Sequence, residues 1–180
     1  MLYYLHGYLS NPNSAKGTLL RKQLNAIPIE YHRGAPESLN VDEALRHITQ
    51  AIHNDAEPVL IGSSFGGFLA VEAALLCGAV KTIILLNPAI IPPRANRGTL
   101  AGIPNKILER MEDRRLFETK MNARIVILMA TRDEVIPPEW VLSFAKAQQA
   151  TVKFLDDDHA FSGKLSSLPS IIEEVLSSGI

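Results

Sequence analysis

The sequence predicts an α/β fold built on a parallel sheet. Short apolar, β-rich runs alternate along the chain with longer amphipathic segments. Three of the runs, Val59–Ile61 (VLI), Thr82–Leu86 (TIILL) and Ile125–Ala130 (IVILMA), are continuously apolar rather than alternating. That pattern suits central strands covered by helices on both faces. The expected strands are Leu2–Leu5, Ile27–Tyr31, Val59–Ile61, Thr82–Leu86, Ile125–Ala130 and Val152–Leu155. The expected helices are Ser14–Ala26, Val41–Asn54, Phe65–Cys77, Asn105–Lys120, Pro138–Gln149 and Leu168–Ser177. Asn40 or Asp42 can cap the second helix, and Pro138 suits a first helical turn. Gly78 stands where a left-handed residue would close the helix begun at Phe65.

The chain has 180 residues, one domain at about 150 residues per domain. Eighteen Lys and Arg oppose nineteen Asp and Glu for a net charge of -1, with 47% hydrophobic and 21% charged residues, the profile of a soluble globular protein. No basic excess is present to track a phosphate backbone, so no nucleic-acid partner is expected. No run approaches the ~20 apolar residues of a membrane span. The apolar start, Met1–His6, lacks the length and basic flank of a secretory signal, so cytoplasmic residence is expected. A lone cysteine, Cys77, excludes an intramolecular disulfide and a multi-cysteine metal cage. Cys77 and Trp140 lie on expected helix faces and read as packing residues. Asn87–Gly102 (NPAIIPPRANRGTLAG) is the one long irregular stretch. Apolar elements resume after it, so it reads as a functional loop, part of a lid-like insertion near 88–121 within a single domain 1–180.

The segment Val59–Phe68 carries the chemistry. Within it Gly62-Ser63-Ser64-Phe65-Gly66 fits Gly-x-Ser-x-Gly, a strand-to-helix turn so tight that glycine is needed on either side of the serine. The pentapeptide alone would arise by chance in roughly 1 of 25 chains of this size, so its context decides. A strand precedes it and an AVEAALL helix follows. A phosphate loop is the competing reading, but no Gly-Lys-Ser/Thr ending and no Gly-x-Gly-x-x-Gly spacing accompany it. Ser64 is therefore the candidate nucleophile.

A serine hydroxyl needs a base. His159 follows the last strand and reaches the carboxyl end of the sheet, where crevices form. His47 and His53 lie on a surface helix, and His32 follows an edge strand. Asp133, just beyond the IVILMA strand on the same sheet edge, is the candidate that orients the imidazole. Glu134 and Asp156 to Asp158 are its alternatives. Oxyanion donors in such a site are the amide after the nucleophile, here Phe65, and one from the loop after an earlier strand. The Leu5-His6-Gly7-Tyr8 turn offers Tyr8 for the second; a packed turn histidine at His6 is compatible with that role.

His6-Gly7, Gly62-x-Ser64-x-Gly66, Asp133 and His159, on successive strand ends, resemble the α/β-hydrolase superfamily, in particular its small bacterial esterase-like branch. The resemblance spans nearly the whole chain. It implies a three-layer fold with a reduced, six-stranded, mostly parallel sheet in the order 2-1-3-4-5-6, lacking the usual N-terminal hairpin because there is no room before Leu2. It also implies a serine hydrolase with Ser64 as nucleophile, His159 as base and acid, and Asp133 as its partner.

Apolar residues following strand ends, Leu9, Phe65, Pro88, Ile90, Ile91, Val135, Ile136 and Phe161, are candidate pocket walls for an acyl group; core packing is the competing reading. Arg94 and Arg97 could meet an anionic leaving group, against the alternative of solvated surface side chains. The Asp156–His159 cluster lacks metal-ligand spacing, so neither metal nor cofactor is expected. The function expected is hydrolysis of a small-molecule carboxylic ester or thioester through an acyl-enzyme. The alternatives are acyl transfer or perhydrolysis by the same residues, and a non-catalytic ligand-binding module on the same scaffold.

Overall fold

The computed structural model describes residues 1–96, 98, 100 and 102–178. Among them, strands β1 (Leu2–Leu5), β2 (Ile27–Pro28), β3 (Val59–Ser63), β4 (Thr82–Leu86), β5 (Arg124–Arg132) and β6 (Thr151–Asp158) form one sheet. Every neighbouring pair is parallel, in the order β2-β1-β3-β4-β5-β6 that the resemblance implied. The helices are α1 (Ala15–Leu24), α2 (Val41–Ile52), α3 (Phe65–Leu76), α4 (Asn105–Met111), α5 (Arg115–Glu118), α6 (Pro138–Gln148) and α7 (Leu168–Ser177).

The continuously apolar runs are the central strands, and the strand period of two divides their side chains between two cores. Leu60, Ile83, Leu85, Ile125 and Ile127 pack with Leu45 and Ile48 of α2, Phe68 and Leu69 of α3, and Val141 and Phe144 of α6. Ile61, Ile84, Leu86, Val126 and Leu128 face the other way, onto Leu20 of α1 and Leu168 and Ile172 of α7. Helices therefore cover both faces of the sheet, the three-layer arrangement.

Several element boundaries differ from expectation. Only Ile27 and Pro28 pair as a strand, with Tyr3 and Tyr4; Ile29 adds one amide bond to the Tyr4 carbonyl, and Tyr31 then turns into the core. The helix expected over 105–120 is two, because the Asp113 carboxylate accepts the Arg115 amide at 2.8 Å and starts a new turn there. Asn40, not Asp42, caps α2, its Oδ1 accepting the amides of Asp42 and Glu43. Gly78 is not left-handed: α3 ends as Cys77 turns extended at φ -122°. Pro138 does occupy the first turn of α6. Trp140 is buried in the core, and Cys77 packs partly buried against it. Among the described residues, no helix is long and apolar enough to cross a membrane.

One buried charge cluster ties α3 to the α4–α5 segment. The fully buried Glu72 side chain lies 3.3 Å from Arg110 and 3.5 Å from Arg115. Burial, with Asp113 adding to it, pushes the Glu72 carboxyl up to about 7 against the pull of the two arginines. A carboxyl raised on folding binds more protons in the native state, so its effect favours folding at low pH. That stability is lost as pH rises from the ordinary carboxylate range toward 7. Glu72→Gln should therefore gain melting temperature relative to wild type across this interval, measured by thermal denaturation at stepped pH; a difference constant with pH would count against the ionisation argument.

Candidate active site

Strand β3 runs into α3 through Ser64, which sits at φ 53°, ψ -119°, a conformation L-residues rarely adopt. Backbone crowding imposes it. A Cβ on Gly66 would lie 2.1 Å from the Leu5 carbonyl oxygen and 2.5 Å from that of His6; one on Gly62 would lie 2.4 Å from the Gly66 oxygen. The Ser64 amide donates to the Leu86 carbonyl at 2.9 Å, and the Ser64 carbonyl accepts from Ala89 at 3.0 Å. Although Ser64 precedes α3, its hydroxyl makes no capping bond and faces a cavity of about 830 Å³.

His159 follows β6 and lines the same cavity. Its Nδ1 lies 2.9 and 2.8 Å from the two Asp133 oxygens. Asp133 Oδ1 also accepts the amides of Val135 (2.8 Å) and Ile136 (2.9 Å), and its side chain is only 6% exposed, so the carboxylate is fixed from several sides. The alternatives to Asp133 do other work. Glu134 accepts the His159 amide at 3.3 Å, Asp156 pairs with Arg132 on the surface, and Asp157 and Asp158 accept backbone amides. Ser64 and His159 share the cavity without a hydrogen bond between their side chains among the described residues.

The His6–Gly7 turn lies against this elbow: a Cβ on Gly7 would be 3.6 Å from Ser64 Cβ. Phe65, at the first position of α3, and Tyr8, which lines the cavity, have amides that donate to no carbonyl among the described residues. The turn is held from behind by Tyr31. Its hydroxyl donates to the carbonyls of His6 (2.9 Å) and Gly7 (3.4 Å), and its ring stacks on His6 at 4.2 Å. Burial lowers the His6 pKa, keeping that ring neutral near pH 7.

Of the candidate wall residues, Leu9, Val135 and Ile136 line the cavity. Pro88, Ile90, Ile91 and Phe161 do not. Pro88 is buried against α3, where a Cβ on Gly67 would lie 2.7 Å from its own Cβ. Ile90, Ile91 and Phe161 are fully buried in the two cores, because the chain after each strand end dives back before reaching the opening. The Phe65 ring is likewise buried, among Tyr8, Tyr31 and Phe68. Leu100, Gly102 and Ile103 complete the wall instead. Arg94 does not line the cavity, and Arg97 lies outside the described residues. Among the described residues, no group of three or more His, Cys, Asp or Glu is placed to hold a metal.

Besides Tyr31, two supporting roles escaped the sequence reading, those of Asn87 and Asp157. Asn87, buried and left-handed at φ 44°, accepts the Ala130 amide at 2.7 Å and donates to the His159 carbonyl at 3.0 Å. Asp157, 2% exposed, accepts the amides of Asp158, Gly163 and Lys164 at 2.9, 3.1 and 2.7 Å. Burial raises its carboxyl, yet these donors hold it below the ordinary carboxylate range. The Asn-Pro pair after β4 was the one available signal for Asn87, since asparagine tolerates φ > 0 at turns.

Sheet order, helices on both faces and the sharp strand-to-helix serine turn are those of the α/β-hydrolase fold. The chain is a member of the family described as "Uncharacterised protein family (UPF0227)", whose model matches residues 1–175. A UPF0227 protein of Vibrio vulnificus is 26% identical over 148 residues, 75% of this chain and 76% of that one. One of Vibrio cholerae is 23% identical over 147 residues, with the same coverage. Among solved structures, Est1E of Butyrivibrio proteoclasticus with ferulic acid bound superposes with a TM-score of 0.81 at 17% identity, over 97% of this chain and 87% of that one. The esterase Pf2001 of Pyrococcus furiosus gives 0.72 at 14% identity, over 97% and 79%.

Asn87→Ala should cost about 2–3 kcal/mol in urea unfolding, because it leaves the buried Ala130 amide without its acceptor. Unchanged stability would show that the Asn87 bonds do not hold this end of the sheet together. Gly66→Ala should abolish soluble folded protein, since the methyl group meets backbone rather than a movable side chain.

Proposed function

We propose that the protein is a serine hydrolase that cleaves a carboxylic ester or thioester through an acyl-enzyme on Ser64. The observation that carries this reading is the His159–Asp133 pair opening onto the same cavity as the unpaired hydroxyl of a strained serine. His159 Nε2 takes the Ser64 proton as Oγ attacks the carbonyl carbon, then returns it to the leaving oxygen or sulfur. Water repeats the sequence on the acyl-enzyme and frees Ser64. Asp133 fixes the tautomer with the proton on Nδ1 and stabilises the imidazolium. The amides of Phe65 and Tyr8 donate to the oxyanion. The serine–imidazole contact closes by side-chain rotation when substrate enters, as such contacts often tighten only in the bound complex.

Segment 88–121 acts as a lid-like insertion of the single domain, closing one side of the cavity with Leu100, Gly102 and Ile103. The wall of Leu9, Val135 and Ile136 takes the apolar part of the acyl group. No cofactor enters these steps.

A fluorophosphonate probe should add covalently to the peptide bearing Ser64, read by mass spectrometry, and Ser64→Ala should lower ester turnover by ~10⁴ or more. Asp133→Asn should lower kcat by about 10⁴ by favouring the wrong tautomer. A folded protein that takes no label and turns over no ester would sink the reading in favour of a binding module. Tyr31→Phe, which removes the hydroxyl bond to the His6 carbonyl, should lower kcat more than it raises KM, about tenfold for a misplaced oxyanion donor.

A further inference from the structure

We propose that the ester or thioester carries an anionic group, a carboxylate or a phosphate, and that the Lys16 ammonium anchors it inside the Ser64 cavity. This rests on the serine-hydrolase reading above. Lys16 is the second residue of α1 and lines the cavity together with Ser64 and His159. It is partly buried, and its Nζ stands 6.0 Å from the centroid of the Phe161 ring, a side chain with no exposure. A lysine on the rim of a pocket normally extends its head into water. This one instead lies near a buried aromatic ring, and burial lowers its pKa.

No ion pair satisfies it among the described residues. Asp157 and Asp158 act on it at longer range, but both are engaged elsewhere. Asp157 accepts three backbone amides, and Asp158 accepts the Ser162 amide at 2.9 Å. Among the described residues the carboxylate that lines the cavity is Glu134, which lies in the loop after β5 and accepts the His159 amide. A partly desolvated cation with no carboxylate in ion-pair contact among the described residues is a recognition element for an anion, which would form a charge-assisted bond there. The hydroxyls of Ser10 and Ser14 line the same cavity and can donate to that anion as well.

The placement also orients the substrate. Lys16 on α1 reaches toward the loop that carries His159, its Nζ 6.0 Å from the centroid of the Phe161 ring, so an anion held there stands beside that loop. The wall also includes the apolar side chains of Leu9, Leu100, Ile103 and Leu165. The substrate is thus amphiphilic, with an apolar part against that wall and a charged terminus at Lys16. That terminus sits on either the acyl part or the leaving group.

The test uses two pairs of esters on wild type, Lys16→Met, Lys16→Arg and Ser64→Ala. The acyl pair is the 4-nitrophenyl monoester of glutaric acid and its neutral methyl ester. The leaving-group pair is the butanoyl thioester of a phosphorylated thiol and of the same thiol without phosphate. The readout is the ratio of kcat/KM, charged over neutral, within each pair. Wild type should favour the charged member of one pair by about tenfold or more, and Lys16→Met should remove about tenfold from that ratio. Lys16→Arg should retain most of it. The pair that responds identifies where the charge lies. An unchanged ratio in Lys16→Met for both pairs overturns the proposal. Turnover that persists in Ser64→Ala overturns the nucleophile assignment instead, with the Lys16 ratio still readable. If wild type hydrolyses none of the four, calorimetric binding of glutarate and of inorganic phosphate decides: affinity about tenfold weaker in Lys16→Met supports the anion site, and equal or absent binding overturns it.

Discussion

Three stretches of backbone meet at the centre of this molecule with no side chain between them. The carbonyl end of β1, the last residues of β3 and the first turn of α3 approach so closely that a methyl group at Gly62 or Gly66 would overlap a carbonyl oxygen. Because α3 presses on β1 and β3 at this point, the chain between strand and helix has no room for an ordinary turn, and Ser64 takes φ 53°. Such a conformation costs about 1–3 kcal/mol and persists only where surrounding structure over-determines it. Here the surroundings are the Leu86 and Ala89 hydrogen bonds to the Ser64 backbone and the burial of Phe65, Phe68, Leu69 and Val71 on α3. The same contact sets the His6–Gly7 turn beside the serine. One crowding constraint therefore places both the hydroxyl and the neighbouring Tyr8 amide.

The opposite side of the cavity is positioned by polar groups. Asn87 bonds β4's end to Ala130 of β5 and to the His159 carbonyl, and Asp157 gathers three amides of the loop that follows. Both side chains suit the role for a chemical reason. An amide carries a donor and an acceptor, so Asn87 can bridge two strand ends at once, and it tolerates the left-handed backbone the turn demands. A carboxylate accepts several amides, so one buried Asp157 can satisfy donors that a turn would otherwise leave unpaired.

This division explains what the sequence could reveal. Strand order comes only from the family resemblance, whereas strand identity and the Ser64 elbow rest on local signals: the apolar runs VLI, TIILL and IVILMA, and two glycines at fixed offsets from a serine. Such signals need no knowledge of distant partners. Helix bounds failed where a side chain rewrote the local preference, as Asp113 does by starting α5. The pocket wall failed for a different reason. Ile90, Ile91 and Phe161 follow strand ends as the true wall residues do, and their burial depends on which way the chain turns next, a tertiary fact with no periodicity to betray it. Asn87 and Tyr31 act through contacts spanning tens of residues in sequence, 43 for Asn87 to Ala130 and 25 for Tyr31 to His6. Nothing short of the folded chain assembles them.

The two halves of the cavity are also seated in different cores. Ser64 leads into α3, whose Phe65, Phe68 and Leu69 pack on one face of the sheet. His159 leads into Phe161 and, beyond it, Leu168 and Ile172 of α7, which pack on the other face. Neither core spans the sheet, so the hydroxyl and the imidazole are coupled only through the strands and the Asn87 bonds at their ends. The β3-β4-β5-β6 ladder is parallel and its β3, β4 and β5 strands are apolar and buried at their centres, a rigid connection that leaves little freedom to vary their backbone separation. The remaining adjustment between them falls to the side chains, and the Asp133 carboxylate already restrains the imidazole through Nδ1. Ser64 Oγ, free of any capping bond, is the member left to rotate.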